Sequence, residues 1–167
     1  MLQRIQTIFM IIAAVSMVLV LFFPVWEKSD EDFEDTKREY AIMNSFELRY
    51  EQHDTDSKEI ELLGTQSTIL ISIGAVVSAL VMLWSITQYK NRMTQVKLNA
   101  LFSLLSAGTF VGIYVYISKA NALFDPTVFG QFLIGFYLPI VAMFNNFLAN
   151  RFIRKDEKLV RSMDRLR

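Results

Sequence analysis

Few residues in this 167-residue chain have the type and spacing to do chemistry. The one histidine, His53, stands beside Asp54 and Asp56 in the polar stretch His53-Asp54-Thr55-Asp56-Ser57, a grouping that could hold a cation weakly at the surface. A zinc site requires several His, Cys or carboxylate ligands at preset spacing, and the chain has no cysteine. The run Asp30-Glu31-Asp32 with Glu34-Asp35 could attract calcium, but it lacks the glycine and spaced ligands of a dedicated loop. Its like charges repel, which predicts a solvated, extended tether over 27–35. Hydroxyls in the apolar runs have no candidate base near them, so nucleophilic catalysis has no support. No phosphate-binding glycine loop or nucleophile elbow occurs, and a membrane haem would require ligands such as histidine within helices. The expectation is a chain that is not an enzyme, with no metal and no cofactor.

The other concentration of charge is the C-terminal RFIRKDEKLVRSMDRLR. It reads as a helix on which Leu159, Val160, Met163 and Leu166 recur at three- and four-residue spacing, while Arg154, Lys155, Lys158, Arg161 and Arg165 dominate elsewhere. Glu157 precedes Arg161 by four residues, the favourable order for a helical ion pair. A basic amphipathic helix beside a membrane lies on anionic headgroups or docks a cytoplasmic partner. Membrane lipids and a membrane-protein partner are the expected contacts, and nucleic acid is not.

These groups must be positioned by what surrounds them. Charge is almost absent from four windows, 5–26, 69–89, 98–118 and 128–148, each about the ~20 residues a helix needs to cross the hydrocarbon core. The expected fold is therefore all-α membrane: a four-transmembrane-helix bundle over 1–148, with a small extracytoplasmic β-hairpin insert at 27–64 and a cytoplasmic C-terminal helix at 149–167. Ala14 and Ser16 fall mid-run and Pro24-Val25-Trp26 stands where a signal cleavage site would be, so the first span reads as retained. Trp26 is expected at the outer headgroup region. No window carries an ionisable residue centrally, which argues against a proton-coupled exporter.

Charge asymmetry sets orientation. Segment 27–62 holds 13 acidic and five basic residues, net −8; Lys90, Arg92 and Lys97 face no acid; and 151–167 is net +4. Short loops rich in Lys and Arg stay cytoplasmic, so both termini and the 89–98 loop are expected inside and the acidic insert outside. Within that insert Tyr40, Ile42, Asn44, Phe46, Leu48 and Tyr50 alternate with Ser45, Glu47, Arg49 and Glu51, and Ile60 and Leu62 with Glu59 and Glu61. Period two predicts two strands pairing as a hairpin around a five-residue loop. An isolated hairpin is marginal in water. Its apolar face, Tyr40, Ile42, Phe46, Leu48, Tyr50, Ile60 and Leu62, is structural if the helices cover it and a partner surface if they do not.

Small residues mark helix contacts: Gly74 with Ser78, Ala75 with Ala79, and the G-x-x-x-G of Gly108 and Gly112, with Ser103 and Ala107 a turn earlier. They let helix backbones approach closely in lipid, inside this chain or against another copy or another membrane protein. Pro139 predicts a kink in the fourth span, and Asn145 and Asn146 interhelical or interfacial hydrogen bonds.

The opening Met1-Leu2-Gln3-Arg4-Ile5-Gln6-Thr7 and the closing Ala149-Asn150-Arg151, Ile153-Arg154-Lys155-Asp156-Glu157-Lys158-Leu159-Val160-Arg161-Ser162 and Asp164-Arg165-Leu166-Arg167 resemble an uncharacterised membrane family of Bacteroidota, domain of unknown function 4293. The resemblance covers essentially the whole chain. It implies a four-span inner-membrane protein of a Gram-negative bacterium with the acidic segment periplasmic, and it brings no activity. The layout is also similar to that of claudin-like tetraspan proteins, without the paired cysteine of their outer segment; layout alone does not imply function. The expected function is a non-catalytic accessory or scaffold subunit of an inner-membrane envelope complex, contacting partners through the hairpin or the basic helix. The alternative is a small carrier or lipid-handling four-helix membrane protein, with Pro139, Gly108, Gly112 and Gln131 as its notable residues.

Overall fold

The first apolar run does not remain helical to Trp26. Helix α1, Leu2–Leu19, tightens at its end through i→i+3 bonds, Leu21 N–H to Val18 O and Phe22 N–H to Leu19 O. Pro24 then disfavours helical backbone at Phe23, and the chain enters strand β1, Trp26–Asp30. This computed structural model describes residues 2–30, 37–54, 60–89, 91–123 and 130–164. After β1 come β2 (Lys37–Met43), β3 (Glu47–Asp54), β4 (Ile60–Ser67), helices α2 (Ile69–Thr87) and α3 (Arg92–Leu123), β5 (Gln131–Phe132) and α4 (Ile134–Asp164). The five strands form one antiparallel sheet in the order β4-β3-β2-β1-β5.

This overturns the all-α, four-spanning expectation. Four helices share the chain with a five-stranded sheet, and among the described residues only α2 and the Arg92–Ala122 part of α3 are long and apolar enough to cross a membrane. The apolar part of α1, Ile5–Leu19, is shorter. Helix α4 starts at Ile134 because Gln131 and Phe132 are spent pairing with Glu27 and Trp26. From Asn145 onward the apolar run of α4 is broken by Asn145, Asn146, Asn150 and Arg151, while the helix itself continues to Asp164. An uncharged window registers only missing charge, and so it merged true helix with linker and strand.

The hairpin expectation is corrected too. Residues 40–50 are not one strand: the chain reverses at 44–46, where Asn44 N–H meets Glu47 O at 2.9 Å, so that Met43 faces Leu48 and Ile42 faces Arg49. The hairpin pairing Ile60 and Leu62 is β3 with β4. Because even residues of β2 face odd residues of β3, the expected apolar face splits. Leu48 is buried and Tyr50 half-buried on the inner face with Ala41 and Met43, while Tyr40 and Ile42 lie on the outer face with Leu62 and Ile60. Phe46 is exposed at the turn.

Nor is 27–30 a solvated tether. Strand β1 sits between β2 and β5, and Lys28 is 2% exposed, its Nζ donating to Asn121 Oδ1 at 2.9 Å. Residues 31–35 of that expected tether lie outside the described residues. Trp26, expected among headgroups, is 1% exposed; a Cβ added at Gly130 would fall 2.4 Å from its indole, so only glycine fits there.

Two clamps join sheet to helices. At the β2–β3 turn, Thr68 N–H donates to Phe46 O, Thr68 Oγ1 to Asn44 O at 2.9 Å, and Ser72 Oγ to Ser45 O at 2.6 Å, fixing the start of α2. At the other edge Leu133 N–H donates to Val25 O and Gly135 N–H to Pro24 O, both at 3.0 Å, fixing the start of α4. Helix α1 packs on α2 and α4, and α3 on the same two. Small and flexible residues line these contacts: Met10, Ala13, Ala14 and Met17 in α1, Ala75, Ala79 and Met82 in α2, Ala142 and Ala149 in α4. Outward, each helix exposes large apolar side chains, among them Ile8 and Val15, Leu70 and Leu80, Leu104 and Val111, Phe144 and Phe147. Such contiguous apolar surface marks a membrane or protein contact rather than free water.

Candidate functional site

The helices carry the sheet at one end, so α2 and α4 lead away from it and α1 and α3 lead back. Three groups of side chains stand out along this axis.

At the sheet end, among the described residues, β4 is an edge strand paired only with β3. Tyr50 faces Gly64 and Glu51 faces Leu62, leaving Leu63 as the extra residue of a bulge. Ile60, Leu62 and Leu63 are 64%, 57% and 53% exposed, so none of the described residues covers this part of the face. An open edge offers a row of backbone donors and acceptors to an added strand. Beside it on the outer face, Arg49 pairs with Glu47, and His53 Nε2 lies 3.3 Å from Glu51 Oε2 and packs its ring on Tyr40, centroids 4.5 Å apart. Of its expected cation partners, Asp54 is in β3 and Asp56 lies outside the described residues. Among the described residues no three His or acidic side chains gather. On the inner face, burial pushes the Tyr50 phenol above its ordinary value.

Between the helices lies a neutral polar cluster. Ser85 Oγ of α2 donates to Asn99 Oδ1 at 2.7 Å; Asn99 Nδ2 donates to Asn150 Oδ1 at 3.0 Å; Asn146 Nδ2 donates to Asn99 O at 2.9 Å and to Ser103 Oγ at 2.7 Å. Gln95 Nε2 points to Met10 Sδ, joining α1. Gln95, Asn99 and Asn146 are all at most 1% exposed, and Gln95 Oε1 and Asn146 Oδ1 find no hydrogen-bond partner among the described residues. Amides and hydroxyls neither titrate nor transfer protons readily, so the cluster can pin α2, α3 and α4 together but offers no general base. Of this group the sequence reading singled out Asn146, for interhelical bonding, and Ser103, for close packing; it missed Gln95 and Asn99, which stand eight and four residues before Ser103 on the same side of α3.

The small-residue pairs separate. Gly74 is a true close approach, since an added Cβ would stand 2.5 Å from Thr109 Oγ1, and buried Ser78 donates to Gly74 O at 2.7 Å. An added Cβ at Gly108 or Gly112 meets nothing within 4 Å, so that motif makes no close contact among the described residues. Gln131 is exposed in β5, and Pro139 lies within α4.

At the far end, α4 is anchored by Arg92 Nη2 on Asp156 Oδ2 at 2.9 Å and by Phe9 stacked on Phe152. Arg151, Arg154, Lys155 and Lys158 project from it, exposed. A cavity of about 480 Å³ is lined by Phe147, Asn150, Arg151, Arg154, Lys155 and Lys158. A smaller one, about 360 Å³, is lined by Met93, Val96, Arg154, Glu157 and Lys158. Arg161 falls in the helix, and Arg165 lies outside the described residues.

The family described as Domain of unknown function (DUF4293) matches residues 2–166. No curated protein matches the chain.

Proposed function

From this geometry we propose that the chain, which belongs to the DUF4293 family, is a non-catalytic scaffold of a bacterial inner membrane, holding a partner protein at its sheet. In this reading α2 and α3 cross the bilayer and α4, packed on α1 and α3, follows them through it; the sheet stands in the periplasm, and the basic end of α4, held beside the α2–α3 connection by Arg92 and Asp156, lies in the cytoplasm. The net charge of −8 over 27–62 against +4 over 151–167 supports that orientation.

The observation that carries the reading is the exposure of Ile60, Leu62 and Leu63 on an edge strand of a sheet otherwise clamped to the helices. A sheet needed only as a plug would have no reason to present three large apolar side chains beside an open backbone edge. The acidic insert favours a partner segment that is extended, apolar on one face and basic around it.

A photoreactive amino acid placed singly at Ile60, Leu62 and, as control, buried Met43 tests this in the native membrane at native expression. A discrete adduct of one partner from positions 60 and 62 and none from 43 is expected. No adduct from β4, with the protein isolated as a single partner-free species, contradicts it.

A further inference from the structure

We propose that the second half of α4 carries a site for the phosphate headgroup of an anionic phospholipid. The site rests on the membrane placement above and adds a specific ligand to it.

The larger cavity presents donors only. Arg151, Arg154, Lys155 and Lys158 are exposed on one side of the helix, and among the described residues no carboxylate lines the cavity. Of the neighbouring acids, Asp156 is held by Arg92, and Glu157 lines the smaller cavity together with Arg154 and Lys158, which border both cavities, so that Arg151 and Lys155 belong to the larger one alone. Asn150 adds a directed donor. Its Oδ1 accepts from Asn99 Nδ2 at 3.0 Å, which fixes the amide so that its NH2 is what remains for a ligand in the cavity. Four cations and an amide NH2 match the oxygens of a phosphodiester, with the arginines able to bind them in bidentate fashion.

Apolar continuity selects a lipid over a free anion. One turn earlier on the same side, Phe144 and Phe147 are 62% and 64% exposed, and Phe147 itself lines the cavity. The helix therefore passes, at spacings of three and four residues, from aromatic surface suited to acyl chains to basic surface suited to a headgroup. The opposite side, Ala142, Asn146, Ala149 and Ile153, is buried throughout, so α4 is docked and the site is held in place. About 480 Å³ accommodates a phosphoglycerol-sized headgroup with its chains left outside.

The test uses the full chain, delipidated in mild detergent and examined by native mass spectrometry with added phosphatidylglycerol, phosphatidylcholine or inorganic phosphate. Phosphatidylglycerol is expected to bind in preference to phosphatidylcholine, unchanged by millimolar phosphate. Arg151→Gln and Arg154→Gln are each expected to weaken it about fivefold, and Lys119→Gln, at the other end of α3, to leave it unchanged. Equal binding of both lipids, or equal binding by all variants, overturns the proposal, and competition by free phosphate overturns the lipid assignment. Melting curves of the variants separate a lost site from a lost fold. Alkaline carbonate extraction of the protein from its membrane would instead refute the crossing helices, and is read independently.

Discussion

The polar cluster makes a quantitative prediction for Asn99 and Asn150. Asn99→Ala removes its side-chain bonds to Ser85 Oγ at 2.7 Å and Asn150 Oδ1 at 3.0 Å, but leaves the backbone carbonyl that accepts from Asn146. An interior hydrogen bond nets about 0.5–1.5 kcal/mol, and those between membrane helices average about 0.6 with an upper bound near 1.7. Two lost bonds and a small void at a fully buried site predict a loss of about 2–3 kcal/mol. Asn150→Ala breaks one bond and should cost about 1 kcal/mol. Since the two residues share that bond, the double variant should lose less than the sum, with a coupling energy of about 0.6–1.5 kcal/mol. Unfolding in mixed micelles by a denaturing detergent, followed by the fluorescence of buried Trp26, supplies the four stabilities. Additivity within about 0.3 kcal/mol would refute the shared bond.

The glycines give a paired contrast in the same assay. A Cβ at Gly135 would lie 2.7 Å from Pro24 O and 2.8 Å from Phe23 O, both backbone, so Gly135→Ala should cost about 1–3 kcal/mol. Gly108→Ala, in a helix with open space, should be neutral or gain up to about 1 kcal/mol. Burial of Tyr50 raises its phenol above the usual 10.0, so its contribution to stability is intact below that value and declines as pH climbs through the raised one; in an absorbance titration Tyr50→Phe should remove one late-ionising phenol from the curve of the parent. Leu62→Asp, at an exposed position, should leave stability within about 0.5 kcal/mol of the parent while removing the photo-adducts at Ile60.

Helix α2 was legible almost to the residue, because 69–89 is apolar and continuous and the structure places the helix at Ile69–Thr87. The strand character around Glu47–Glu51 and Ile60–Leu62 was legible from alternation. The reversal at 44–46 was not, because Asn44 and Phe46 continue the period of two through the turn; alternation reports which side a residue takes, not whether the chain has doubled back. Strand β5, two residues long, is too short for any periodic signal. Lys28 looked solvated because only the fold brings Asn121 to it across 93 residues. The basic side of α4 was visible in composition, whereas its cavity depends on Asn150 being held by a residue on α3.

The central claim is that α2 and α3 carry the sheet and the basic end of α4 to opposite sides of a membrane. The natural absence of cysteine allows single-cysteine labelling on an otherwise silent background. With a membrane-impermeant maleimide, Leu62→Cys should label in spheroplasts and be protected in inverted vesicles, and Lys155→Cys should show the reverse. Labelling of both positions from the same side would contradict the account.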